Sequence, residues 1–188
     1  MTHSNEDRHR VSRRGLAASG LGLASAGALV AAPAKSSGIR SLSLEDRVGI
    51  QDLFTDYLWA YDCSDASAFA ALFTPDALVV GKGIEYRGRE KILAWFAGLI
   101  QLREREQDDV WMHEAGQFHF VPTATGCLVY AYATHFRANT AAGERGVRSL
   151  GYFACECRKD TRWRFHRFSI SPWDRHRLPW TKKLPWAG

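Results

Sequence analysis

Ile50-Gln51-Asp52-Leu53-Phe54-Thr55-Asp56-Tyr57-Leu58-Trp59-Ala60-Tyr61-Asp62 is the stretch on which the fold turns, with apolar side chains at Ile50, Leu53, Phe54, Tyr57, Leu58 and Tyr61. Steps of three and four residues set all six on one wide stripe, which predicts a helix with one buried face running to about Tyr61. Ser43 precedes it as an N-cap candidate, with Asp46 three residues on in the capping-box position. Past the polar Asp62-Cys63-Ser64-Asp65, a short helix carries Phe69, Leu72 and Phe73 and is stopped by Thr74-Pro75-Asp76. Segments 77–80 and 84–86 flank Gly81-Lys82-Gly83 and read as a hairpin. A third helix over 89–103 sets Ile92, Trp95, Phe96, Leu99 and Ile100 on one face.

The remainder is β-like: segments 111–121, 127–139, 147–159 and 162–171, joined by turns. Helices followed by a long antiparallel meander make an α+β fold. A curved sheet wrapped around a helix encloses one deep pocket. Two histidines stand on these strands. Period-2 alternation puts Trp111, His113, Ala115, Gln117 and His119 on one face, and Val129, Ala131, Ala133 and His135 on one face of the next strand. Small residues beside a histidine leave the volume that a pocket wall needs. Either histidine on its own also fits a structural, hydrogen-bonded role, and a lone Asp62 at a helix end fits a cap.

Length and composition narrow the classes. The 188 residues, 46% hydrophobic and 12% aromatic, suit one folded domain with a short appendage and exclude a disordered chain or a disulfide framework. Residues 1–34 join Ser12-Arg13-Arg14-Gly15-Leu16 to a Gly/Ala/Leu run ending in Ala32-Pro33-Ala34. Charged start, modest apolar run and small-x-small site are the parts of an export signal, and the paired arginines indicate the twin-arginine type. The expectation is an exported bacterial protein, periplasmic or otherwise extracytoplasmic, with no stable membrane span. A linker (35–42), a domain (43–174) and a Trp/Pro-rich basic tail (175–188) follow; the tail packs over the domain or against a second subunit. The four cysteines show no C-x-x-C and read as buried free thiols.

The net charge of +5 is uneven: segment 158–188 has nine Lys/Arg and two acids, whereas 35–157 has twelve and sixteen. Arg162, Arg164 and His166 alternate on the last strand, but the row ends at Phe168, and an edge-strand charge row explains it better than nucleic-acid binding. No metal site is expected, because His113-Glu114 begins like H-E-x-x-H but meets Gln117 on a strand. No phosphate loop or nucleophile elbow is present in the sequence.

Gly49-Ile50-Gln51-Asp52-Leu53-Phe54, Tyr57 through Asp62, Phe69 through Ala77, Tyr86-x-Gly88, His113 and Trp163-Arg164-Phe165 together resemble the SnoaL-like branch of the nuclear transport factor 2-like superfamily, over about 42–174. The resemblance implies a cone-shaped α+β barrel, a curved antiparallel sheet around three helices with a pocket at the open end. It is nearest to the group of scytalone dehydratase, bile-acid 7α-dehydratase and hexachlorocyclohexane dehydrochlorinase, which are lyases without a cofactor. By that resemblance the catalytic residues fall on Asp62 and His113, with Tyr57 or Tyr61 as hydrogen-bond donor and His135 as a second histidine. An arginine near the C-terminus falls on either Arg167 or Arg175. Phe54, Trp95, Phe96 and Tyr152 are the aromatic residues expected to bind substrate. A pocket so lined suits a flat, apolar, oxygenated substrate of polycyclic or terpenoid type. Relatives form dimers or trimers through the sheet face, where the Tyr130, Tyr132 and Phe136 row fits a homodimer or homotrimer. The alternatives are a non-catalytic carrier of an apolar ligand and an isomerase or cyclase using the same residues. Their separation is geometric: a lyase needs His113 within hydrogen-bond reach of Asp62 and its other nitrogen facing the pocket.

Overall fold

The computed structural model describes residues 41–105 and 109–187, so the expected export signal and nearly all of the linker lie outside the described residues. Helix α1 (Leu44–Asp62) starts where its cap is: Ser43 Oγ accepts from the Asp46 amide at 3.0 Å and donates to the Asp46 carboxylate at 2.8 Å. Asp46 also accepts from Lys159 Nζ at 2.8 Å and from the Trp163 indole at 3.2 Å. The helix start is thereby tied to the far end of the sheet, and Lys159 pulls the Asp46 pKa below the usual carboxylate range. The apolar stripe buries Ile50, Leu53, Phe54, Tyr57 and Ala60.

Helix α2 (Ala66–Ala71) is capped by Asp65, whose carboxylate accepts from the Ala68 amide. Strand β1 (Phe73–Gly81) follows at once. The helix ends earlier than expected, at Ala71 with Leu72 as its C-cap, so Phe73 and Thr74-Pro75-Asp76 belong to this strand, whose register against the last strand jumps between Phe73 and Leu78. A bulge is where a strand can hold a proline without losing a ladder bond. Strand β2 (Ile84–Arg87) folds back through Lys82 and Gly83, with φ of +51° and +78°, the two-residue turn whose twist matches a hairpin. Helix α3 (Arg89–Arg105) and strands β3 (Asp109–Pro122), β4 (Cys127–Asn139), β5 (Glu144–Lys159) and β6 (Trp163–Pro172) complete the domain.

The six strands form one sheet in the order β2-β1-β6-β5-β4-β3. Strands β3 to β6 are the expected antiparallel meander, and β1 joins β6 in parallel. The sheet stays open, with β2 and β3 as its edges, and α1 crosses its inner face. Phe54 lies at the centre, fully buried, with the rings of Phe118, Phe153 and Phe165 around it at 5.1–5.4 Å, all edge-on.

Period-2 alternation fails at one place in β3. Gly116 pairs with Tyr132 and His119 with Tyr130, so β3 spends one residue more than β4, and Gln117 takes a φ of +51°. This bulge reverses the faces. His113 and Ala115 point inward before it; Phe118 and Phe120 point inward after it, and His119 is on the outer face. The expectation that Gln117 and His119 share the face of His113 is corrected accordingly.

The outer face is covered in part by the chain's own C-terminal segment. Trp180, in a short 3₁₀ turn (Pro179–Thr181), stacks on His119 at 3.9 Å, and Trp173 meets Tyr132 edge-on at 5.0 Å. Leu184 and Trp186 pack on Tyr130, Tyr152 and Ala154. Tyr130 is therefore buried beneath the tail instead of standing in an exposed row with Tyr132 and Phe136. The last strand is not the expected edge, since β6 lies between β1 and β5, and its basic row is locally engaged: Arg162, just before it, donates to the Ala71 carbonyl, Arg164 pairs with Asp160, and His166 is buried beside Thr74. The cysteines are all free, with Cys127, Cys155 and Cys157 buried and Cys63 exposed.

Two glycines give a stability test. A Cβ on Gly126 would stand 2.0 Å from the Cys157 carbonyl oxygen, whereas one on Gly98, within α3, would meet nothing within 4 Å. Gly126→Ala should lower stability by about 1–3 kcal/mol, as overpacking does, and Gly98→Ala should raise it by about 0.5–1 kcal/mol through helix propensity. Paired thermal melts check both; equal shifts would contradict the β4–β5 geometry.

Candidate functional site

The site forms where α1 ends. Its last carbonyls lose their helical partners there, and Ser64 turns the chain with a φ of +58°, a conformation usually left to glycine. Arg103, from the last turn of α3, supplies the missing donors. Its Nη1 lies 2.9 Å from the carbonyls of both Tyr61 and Asp62 and 3.0 Å from Ser64 Oγ. The guanidinium also lies over the rings of Tyr61 and Trp111, at 5.1 and 5.4 Å. One side chain thus holds the end of α1 against β3.

Asp62 is placed by that turn and faces the start of β3. One carboxylate oxygen accepts from the His113 backbone amide at 2.9 Å; the other lies 2.6 Å from His113 Nδ1. The two side chains keep only 15% and 19% of their surface exposed. A carboxylate can only accept, so Nδ1 is the donor, and in the neutral imidazole Nε2 is then the nitrogen with the lone pair. Nε2 has no hydrogen-bond partner among the described residues, and His113 lines a cavity.

His135 is the direct cross-strand neighbour of His113, and the rings stack at 4.4 Å with 19° between planes. Burial first, and then the neighbouring His113, push the His135 pKa down to about 4. It is therefore neutral near pH 7. Its Nε2 is buried without a partner, as are Arg103 Nε and the Trp111 indole nitrogen. Tyr61 meets the edge of the His113 ring at 4.9 Å, and Tyr57 lies 5.8 Å from Tyr61. Burial raises the pKa of both phenols, so both keep their protons and act as donors.

Two adjoining cavities meet at these groups. The one holding His113 and His135 measures about 400 Å³ and includes Ala133, Phe153 and Gly151. A larger one of about 960 Å³ lies between the β1–β2 hairpin and α3 and includes Tyr86, Trp95, Leu99 and Phe168. Tyr57, Tyr61, Lys82, Ser149 and Ile170 line both.

Of the residues expected at the site, the structure brings together Asp62, His113, His135, Tyr57 and Tyr61, and puts Trp95 on the larger cavity's wall. Three are corrected. Phe54 is the core hub, and Phe96 is buried in a face-to-face stack on Phe69 at 4.0 Å; neither lines a cavity. Tyr152 is on the outer face beneath the tail, because Phe153 takes the inward position of that strand. Arg167 pairs with Glu156 at 3.3 Å on the outer face and Arg175 is exposed, so neither supplies the cavity. The sequence reading missed Arg103, Lys82 and Ser149. Arg103 was visible only as the end of a helix, since nothing local says that α3 stops against the end of α1. Among the described residues no group of three or more His, Cys, Asp or Glu side chains is arranged to hold a metal, and no helix is long and apolar enough to cross a membrane.

The SnoaL-like domain profile matches residues 42–169. No curated protein matches the chain. Among solved structures, an NTF2-like protein with a cystatin-like fold from Novosphingobium aromaticivorans has a TM-score of 0.61 at 23% identity, over 70% of this chain and 84% of its own. A protein described as a putative scytalone dehydratase from the same organism scores 0.56 at 18% identity, covering 68% and 83%. LinA scores 0.55 at 18% identity, covering 70% and 92%. These likenesses concern the fold. With three helices, an open six-stranded sheet and a profile match across most of the described domain, the chain belongs to the SnoaL-like family.

Proposed function

We propose that the protein is an exported, cofactor-free lyase that removes the elements of water from a small, apolar, oxygenated substrate by β-elimination. The observation that supports this most is the 2.6 Å contact between Asp62 and His113 Nδ1, beside a cavity that His113 also lines. It fixes one tautomer of His113 and leaves Nε2 as a base. Nε2 takes a proton from the substrate carbon next to the one bearing the hydroxyl. The C–H electron pair becomes the new C=C bond, and the C–O bond breaks. The departing hydroxide takes a proton back from the imidazolium and leaves as water, and His113 returns to its neutral form.

The other groups fit this course. Asp62 stabilises the imidazolium through the bond that orients the ring. Tyr57 and Tyr61, held protonated by burial, donate to the developing negative charge on oxygen. Neutral His135, stacked on His113, adds no positive charge before the proton moves. The larger cavity, walled by Tyr86, Trp95 and Phe168, takes a flat apolar body, and the family neighbour described as a putative scytalone dehydratase is consistent with such a substrate.

Loss of the base should be severe. His113→Ala is expected to lower kcat about 10²–10⁴-fold, the range of a proton-transfer group. Asp62→Asn, which leaves the shape but removes the acceptor charge, should follow it closely. A turnover assay on hydroxylated polycyclic compounds measures both; unchanged rates in His113→Ala would sink the lyase reading. Arg103→Met should lower kcat with little change in KM, because it loosens the carboxylate and not the cavity, and Arg103→Lys should recover part of the loss.

His135 also sets a stability trend. Its folded pKa of about 4 lies below the ordinary 6.5, so between those values the unfolded chain binds a proton that the fold refuses. Stability therefore falls as pH drops through that window. His135→Gln should flatten this part of the melting-temperature profile, and an unchanged slope would remove His135 as its cause.

A further inference from the structure

The larger cavity carries a feature that elimination chemistry does not require. Lys82 lines both cavities, and Lys91, from the first turns of α3, lines the larger one. Neither ammonium has a hydrogen-bond or ion-pair partner among the described residues. Of the acidic groups on these walls, Glu85 lies 3.9 Å from Arg87, and Glu114 shares the smaller cavity with Lys82 without forming an ion pair with it.

Lys82 is also in an unusual place. It is the first residue of the β1–β2 turn with φ +51°, where Asn, Asp or Gly is the ordinary occupant. A residue with a Cβ in the left-handed region costs roughly 1 kcal/mol, and such strain clusters where a side chain has a task. Here the strained residue is the one whose side chain stands at the junction of the two cavities.

We propose that Lys82 and Lys91 form a cationic subsite for the anionic group of an otherwise apolar ligand, a carboxylic acid in the simplest case. The aromatic and aliphatic walls take the hydrocarbon body, and the carboxylate accepts from the two ammonium groups at the rim. This refines the substrate class of the proposed lyase and rests on that reading only for which cavity the substrate enters. An acid seated so would extend from the rim toward Tyr57 and Tyr61, past which His113 stands.

Fluorescence titration of the full chain with anthracene-9-carboxylate and its neutral counterpart 9-anthracenemethanol tests the subsite without turnover. The acid is expected to bind about tenfold more tightly than the alcohol at low salt, in line with a hydrogen bond to a charged group. The double variant Lys82→Gln/Lys91→Gln should lose that preference while still binding the alcohol as the native chain does. Raising the salt to about 0.5 M should erode the preference in the native chain alone. Equal binding of both probes, a preference that survives the double variant, or no binding of either probe overturns the assignment. His113→Ala separates this result from the lyase reading: it should lower turnover by the factor given above and leave the preference for the acid intact.

Discussion

Helix α1 lying across the inner face of the sheet is the constraint from which the rest follows. Phe54 is wedged among Phe118, Phe153 and Phe165, and truncating a phenylalanine so enclosed costs about 3–5 kcal/mol. Once Phe54 is seated, helical geometry sets what comes next. Tyr57 stands one turn on, packed at 4.8 Å against Phe168, and Tyr61 follows on the same stripe. Asp62 then falls at the point where the helix opens. The catalytic candidates are thus positioned by core packing on a rigid element, and the cavity is the room left between that helix and the sheet.

Packing alone does not hold the last step. Asp62 stands beyond the buried stripe, at a helix end that turns through a left-handed serine. Two polar contacts act in its place: Arg103 binds the carbonyls on one side, and the His113 amide and ring bind the carboxylate on the other. The negative end of the helix favours the guanidinium bonded to its last carbonyls. This makes α3, and not only α1, part of the site, although no residue of α3 touches the dyad's hydrogen bond.

That division also explains what could be read in the sequence. The α1 and α3 helices follow from periodicity, because each buries one stripe, and the hairpin and the four-strand meander follow from β-like runs punctuated by turn residues. Asp62 and His113 could be listed but not joined by pattern; only the family resemblance set them face to face. The bulge at Gln117 was illegible, since a single extra residue leaves no compositional mark and yet moves His119 to the outer face. Tyr152 and Phe153 differ by one position, and the choice between outward and inward depended on register that alternation cannot supply. Phe54 and Phe96 were aromatic and on the right faces. Being inward put them in the core, and reaching a cavity required knowing where the helix and sheet fail to touch.

The polar content of the site argues for use beyond structure. A carrier of apolar ligands gains nothing from an almost buried carboxylate, two stacked histidines and three buried nitrogens without partners. Each unpaired buried donor costs about 1–3 kcal/mol, and an apolar lining of the same shape would avoid that cost. The adjoining core shows that this chain can build such a lining, since Phe54, Phe69 and Phe96 fill space with no polar atom among them. Three of the five unpaired buried side-chain atoms among the described residues stand around the end of α1 and the start of β3, where a proton acceptor, two phenolic donors and a cavity meet; the other two are Thr123 Oγ1 and the Trp186 indole nitrogen. His135 Nε2, on the wall of the cavity that His113 also lines, is a group whose missing partner a ligand entering that cavity could supply.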